Sequence, residues 1–226
     1  MATKYSLAIS TINNSVSACI FSDMQLINQI QDPKKDNRNV SKLFKVVDDL
    51  LEKSQISYND IAEIYISVGP GSFTAIRIGL AYALGLNIAK DIKVYGVSNL
   101  QLMAYLIAQE KESGVGQAYF LLDAQRDQIF MQALDISNFK ELSECELVDY
   151  NVLQMPLSLP LVIDSEIYEQ LQAVPNYSNL VFKIINYNAA TAVDIGNCGF
   201  LLKAFNQTKP LIPFYVRLPD AKPNII

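Results

Sequence analysis

The segment Val68-Gly69-Pro70-Gly71-Ser72-Phe73 constrains the fold more than any other stretch of the chain. An apolar run over Ile61 to Val68 reads as a strand, and residues 73–90 read as a helix. Only four residues join them, so strand and helix must belong to one α/β unit. Gly69 and Gly71 permit backbone angles that side chains disfavour, and Pro70 fixes the turn between them. Ser72 suits the helix N-cap, and free N–H groups at that end could hold an anion. The turn is not a P-loop, because GxxxxGKS/T requires a lysine that does not follow these glycines. A purely structural turn and an anion-holding turn both remain open.

The rest of the chain extends this unit. Tyr5–Ser10, Val16–Phe21 and Met24–Ile30 read as three strands linked at Asn13-Asn14 and Ser22-Asp23, an antiparallel meander. Val40, Leu43, Phe44, Val47, Leu50 and Leu51 recur at helical spacing and predict an amphipathic helix over about 39–54, with Asn37 or Asn39 as cap. Ile92–Val97 reads as a strand, and a third helix opens at Leu100. The second half restates the order: strands at Gln117–Asp123 and Gln128–Leu134 around a turn at Ala124–Asp127, then a run from Leu142 to Val148. Leu159–Ile163 follows, then a short helix from Asp164-Ser165 to Leu171, and a longer one from Asn188 to about Phe205. Pro213–Arg217 reads as extended. Strands first and then alternation, twice over, is an α/β two-lobe pattern. The expected division is an N-terminal lobe over 1–97 and a C-terminal lobe over 98–226, with the last helix, about 188–206, able to pack back on the first lobe.

Composition removes most catalytic chemistry. The 226 residues include no histidine, which excludes Ser-His-Asp and Cys-His nucleophile systems, HExxH zinc sites and every His-ligated metal. No metal or cofactor site is expected. Cys19, Cys145 and Cys198 are too far apart for a CxxC motif and suit a reducing compartment. With no signal-like N-terminus and no apolar run of membrane-spanning length, a cytoplasmic chain with no membrane association is expected. Eighteen Lys+Arg against 23 Asp+Glu give a net charge of −5, which offers nucleic acid no overall attraction and leaves only a local basic patch. Asp123 and Asp127 flank Arg126 and read as a solvated turn rather than an acid/base pair, and Arg77 reads as a structural ion-pair partner. Cys19 reads as core.

The 73–90 helix carries two small-residue ladders, Ala75-Gly79-Ala83 and Ile78-Tyr82-Gly85-Ala89. Gly79 and Gly85 each cost roughly 0.8–1 kcal/mol of helix propensity relative to Ala. That cost points to close packing, either inside the helix's own lobe or against a helix of another chain.

Residues Gly69–Gly79 resemble the GPGSFTGxRIG signature of the TsaB (YeaZ) family. Leu7–Thr11 is similar to its LAIDT opening, Gly96–Leu100 to its GVSTL, Leu122–Phe130 to its IDARRxEVY and Pro213–Arg217 to its PxYLR. The resemblance implies an ASKHA-type (actin/Hsp70/sugar-kinase-like) two-lobe α/β fold. It also implies a non-catalytic subunit required for threonylcarbamoyl transfer to adenosine 37 of ANN-decoding tRNA. By that resemblance the chain forms a homodimer and activates the catalytic subunit TsaD by dimerising with it. An ATPase subunit, TsaE, joins them, and tRNA is met only indirectly through the complex. The ASKHA phosphate hairpin, DxGTxxxK, stands here as Ser10-Thr11-Ile12-Asn13-Asn14-Ser15, without its acid, glycine or lysine. Ser10 departs even from the Asp usual in TsaB. The alternative is a small-molecule ATP phosphotransferase or peptidase of the same superfamily. The interface expected from the resemblance and the ladders comprises Leu43, Phe44 and Val47 of the first helix with Ala75, Gly79, Tyr82 and Ala83 of the second.

Overall fold

Alternation along the first strands divides the molecule into layers. β1 (Tyr5–Ser10), β2 (Val16–Ser22) and β3 (Gln25–Asp32) pair antiparallel in sequence order. Leu7, Ile9, Val16, Ala18 and Ile20 enter one core, while Ala8, Cys19 and Phe21 enter another on the opposite face. The sheet is therefore covered on both sides. The computed structural model describes residues 4–12, 15–32, 39–110, 114–149, 158–172 and 182–213.

After α1 (Asn39–Ser54), β4 (Ile61–Gly69) joins β1 in parallel, and α2 (Phe73–Lys90) leads to β5 (Lys93–Ser98), parallel to β4. The first sheet runs β3-β2-β1-β4-β5. Next come α3 (Asn99–Ala108), β6 (Gln117–Gln125), β7 (Gln128–Asp135), β8 (Lys140–Glu141), β9 (Glu146–Asp149), β10 (Leu161–Asp164), α4 (Ser165–Gln172), β11 (Phe182–Ile185) and α5 (Ala192–Ala204). In the second sheet β8 and β9 both pair antiparallel with β7, which pairs antiparallel with β6, and β10 and β11 follow in parallel. Its order repeats that of the first sheet. This doubled meander-plus-parallel sheet is the ASKHA-type α/β arrangement that the resemblance implies.

The helix α5 lies on the face of the first sheet opposite α1 and α2. A Cβ at Gly196 would collide with Phe21, and one at Gly199 with Tyr65, so these glycines set how closely helix and sheet approach. Phe200 fills the space beside them, edge-on to Phe21 (5.1 Å) and Tyr65 (4.9 Å). The chain then returns to the sheet edge, where Lys209 and Gly96 exchange backbone hydrogen bonds of 2.9 and 3.3 Å.

Local departures from the sequence reading have local causes. The run expected over Leu142–Val148 is interrupted because Ser143 Oγ accepts from the Ala133 amide (3.0 Å), and β8 and β9 form on either side. α5 begins at Ala192 rather than Asn188. Thr191 caps it, with its Oγ1 accepting from Val193 N at 3.2 Å and Asp194 accepting from Thr191 N at 2.8 Å. The residues Tyr187–Ala189 form a separate 3₁₀ turn. β11 was not anticipated. Ser72 occupies the N-cap of α2 but makes no side-chain cap bond. Asn39 is the first residue of α1 rather than its cap. The candidate cap Asn37, the Asn13-Asn14 link and the stretch Phe214–Arg217 lie outside the described residues.

Candidate interaction surface

Helices α1 and α2 lie side by side on the outer face of the first sheet. On α1, Leu43, Val46, Val47, Leu50 and Leu51 are buried against it. On α2 the buried positions are Ala75, Ile76, Gly79, Leu80, Tyr82 and Ala83. A Cβ at Gly79 would stand 3.0 Å from Ile66 Cδ1 and 3.4 Å from Thr11 Oγ1. Thr11 also donates to Ala75 O at 3.0 Å. Six of the seven residues expected at an interface are therefore buried in the chain's own core, Leu43, Val47, Ala75, Gly79, Tyr82 and Ala83, and only Phe44 is exposed. The ladder Ala75-Gly79-Ala83 lets α2 sit close to its own sheet.

The outer face is built by other residues. Phe44 is 52% exposed and Ile88 is 84% exposed. Ala81 and Gly85 are exposed between them in sequence, and a Cβ at Gly85 would meet nothing within 4 Å. Tyr82 lies beneath this surface, its ring edge-on to Phe44 at 5.0 Å. An ordinary surface helix shows a polar outer stripe, yet α2 carries apolar or small residues at Ala81, Gly85, Ile88 and Ala89, bounded by Arg77 and Lys90. The Arg77 guanidinium lies over the Phe73 ring, 3.4 Å from its centroid. The scarcity of charge in Ala81–Ala89 was the sequence signal for this face. Periodicity could not supply it, because both sides of the helix are apolar.

A chain of hydroxyls fixes the end of this surface. Tyr82 and Tyr58 are hydrogen-bonded at 2.8 Å, and Tyr58 donates to Asp48 Oδ1 at 2.7 Å. Burial pushes the Tyr58 phenol up to about 12, with Asp48 adding to the shift against the Tyr82 bond, and burial raises Tyr82 further. Both phenols stay neutral near pH 7 and serve as fixed polar groups rather than acid/base catalysts.

The remaining candidate chemistry is internally committed. Ser10 and Thr11 are buried, and Ser10 Oγ accepts from Ile12 N at 3.3 Å. Beyond the cis Gly69–Pro70 bond, Asn99 Nδ2 donates to Pro70 O at 2.7 Å, and Ser67 Oγ donates to Asn99 Oδ1 at 2.6 Å. The turn is thus tied to the start of α3. Asp123 accepts from Gln125 N at 2.7 Å in a turn whose carboxylates are exposed, a conformational role. Cys19 and Cys198 are buried with thiols pushed well up by desolvation, and burial raises Cys145 to about 12, so none is an activated nucleophile. Among the described residues no cluster of three or more His, Cys, Asp or Glu could hold a metal. No helix among them is long and apolar enough to cross a membrane.

Comparison with known proteins adds the lineage. A family model described as TsaD, tRNA N6-adenosine threonylcarbamoyltransferase, matches residues 32–150. The Escherichia coli protein named tRNA threonylcarbamoyladenosine biosynthesis protein TsaB is 27% identical over 124 residues, 55% of this chain and 52% of that one. The Bacillus subtilis protein of the same name is 29% identical over 147 residues, 65% of this chain and 61% of that one. The chain thus spans between about half and three fifths of the length of these two curated relatives. The solved structure of YeaZ from Pseudomonas aeruginosa superposes with a TM-score of 0.74 at 17% identity, covering 94% of this chain and 99% of that one. A second Pseudomonas aeruginosa structure, described as similar to peptidase YeaZ, gives 0.76 at 18% identity, with 95% and 100% covered.

Proposed function

The chain belongs to the TsaB (YeaZ) family, and from that premise we propose that it is a non-catalytic subunit in the biosynthesis of threonylcarbamoyladenosine in tRNA. It acts by packing the outer face of α1 and α2 against the catalytic subunit TsaD and holding that subunit in its active form. The same face serves a homodimer when TsaD is absent, and TsaE joins the heterodimer. In this reading the lobe over 1–97 carries partner binding and the lobe over 98–226 supports it.

One observation carries the proposal: α2 presents Ala81, Gly85 and Ile88 to solvent, and the exposed ring of Phe44 on α1 packs against Tyr82 of the same helix as those three. An apolar face of this kind is stabilised by burial against a second surface. Small residues at the contact allow helices of two chains to approach closely, and two helices from each would make a four-helix bundle. Beside the Gly69–Ser72 turn, Ser10, Thr11 and Asn99 are each committed to hydrogen bonds within the chain.

The test is a reconstituted modification reaction containing TsaD, TsaE, threonylcarbamoyl-adenylate and tRNA, with and without this chain. Modification should require the chain, and the chain alone should turn over neither ATP nor peptide. Full modification in its absence, or ATP turnover by the chain alone, would overturn the reading.

A further inference from the structure

A groove of about 480 Å³ opens at the N-terminal ends of β1, β4 and β5. It lies at the opposite end of β4 from the Gly69–Ser72 turn and is separate from it. Four lysines line it, Lys4, Lys90, Lys93 and Lys203, against two carboxylates, Glu63 and Asp91. This reverses the sign of a chain whose net charge is −5.

Two of the four amines have evident structural tasks. Lys90 and Lys203 stand in the last turns of α2 and α5, where a cation offsets the negative end of the helix dipole. Lys90 donates to Asn59 Oδ1 at 3.0 Å, and Lys203 pairs with Glu63. Glu63 is further saturated by Ser6 Oγ (3.0 Å) and Tyr65 OH (2.8 Å). Asp60 stands near Lys4, but its carboxylate accepts from Ser57 N (2.9 Å) and Oγ (2.6 Å).

Lys4 and Lys93 have no such task. Both are exposed and make no ion pair among the described residues. Lys4 precedes Tyr5, which pairs with Ile61 of β4, and Lys93 pairs with Glu63 of the same strand. Two strand spacings, roughly 10 Å, therefore separate their strands across the groove. Two free ammonium groups flanking a satisfied Lys–Glu pair suit an anion with charges spread along its length. Lysine, a point charge without the fork geometry of arginine, suits phosphate oxygens more than one defined planar carboxylate.

We propose that this groove binds phosphate groups, with Lys4 and Lys93 as the two gripping cations and Lys90 and Lys203 as fixed background charge. The phosphates come from a free nucleotide or from the phosphodiester backbone of RNA. The site stands on the groove alone and does not depend on docking through α1 and α2.

The test uses the full chain without partners and three probes: inorganic pyrophosphate, ATP and a short RNA stem-loop. Binding is measured by calorimetry and, for the RNA, by fluorescence anisotropy across a salt series. The double variant Lys4→Ala/Lys93→Ala should lose roughly tenfold in affinity for whichever probe binds. For the RNA it should also reduce the log–log salt slope by about 1.4 to 1.8. Binding of ATP or pyrophosphate at physiological salt, with the stem-loop no tighter, assigns the groove to a nucleotide. Tight, salt-dependent stem-loop binding with weak ATP binding assigns it to RNA. The control Lys45→Ala/Lys140→Ala removes two exposed charges outside the groove lining. No binding by any probe, binding unchanged in the groove variant, or equal loss in the control would overturn the proposal.

Discussion

The two sheets share a strand order, so α2 and α4 occupy equivalent places: each follows the fourth strand of its sheet and precedes the fifth. They are clad differently. α4 is an ordinary surface helix, with Ile167 and Leu171 buried and Glu169 exposed. α2 buries Ala75, Gly79 and Ala83 against its sheet and still shows Ala81, Gly85 and Ile88 to solvent. The fold therefore does not require an apolar outer face at this position, since among the described side chains of α4 the exposed one is Glu169. The difference teaches that the sheet sets the inner face of α2 but not its outer face, which is the face the proposed docking would use.

The contrast between faces can be broken most forcefully on the core side. Gly199→Val would drive a branched side chain into Tyr65, and unfolding in urea should show a loss of about 3 kcal/mol. Gly79→Leu should cost about 2 kcal/mol, because its Cβ starts 3.0 Å from Ile66 Cδ1. An unchanged midpoint for Gly79→Leu would place that residue outward and restore it to the interface. On the outer side the sign reverses. Gly85→Ala meets nothing within 4 Å, so helix propensity should raise stability by about 0.8–1 kcal/mol, read as a higher melting temperature.

The smallest expected effect concerns the Glu63–Lys203 pair that joins β4 to α5. Desolvation raises the Glu63 pKa, but bonds from Lys203, Tyr65 and Ser6 outweigh it and hold the carboxyl below its usual range. A depressed folded pKa stabilises above the unfolded value, about 4.3, and that stability is lost as pH falls through the folded pKa. Lys203→Met should flatten the acid limb of the stability profile by a few tenths of a kcal/mol, since the pair is partly solvated. An unchanged acid limb would show that the pair contributes nothing measurable.

Much of the frame was legible in the sequence. α1 and α2 fall over 39–54 and 73–90 as expected, because each is long and the second is bounded by Gly69–Ser72. The repeated strand order was legible from element order, though no sequence repeat marks it. β11 was missed: it is a four-residue strand with neither a turn pair nor clear alternation to announce it. The start of α5 was misplaced because Asn188-Ala189-Ala190 looks helical, while the cap belongs to Thr191 and Asp194. The interface residues were the harder problem. Leu43 and Val47 obey the helical period because they are core, and in α2 the period cannot separate inner from outer ladders when both are small and apolar. Packing decides it, through Ile66 and Thr11 against Gly79 and open space beside Gly85.

The most direct test of the interaction-subunit reading is Gly85→Arg, measured for co-elution with TsaD and for thermal stability in the same preparation. A folded chain with unchanged or slightly raised melting temperature and at least tenfold weaker TsaD binding is the predicted result. Undiminished binding by the folded variant would contradict docking through the outer face of α2.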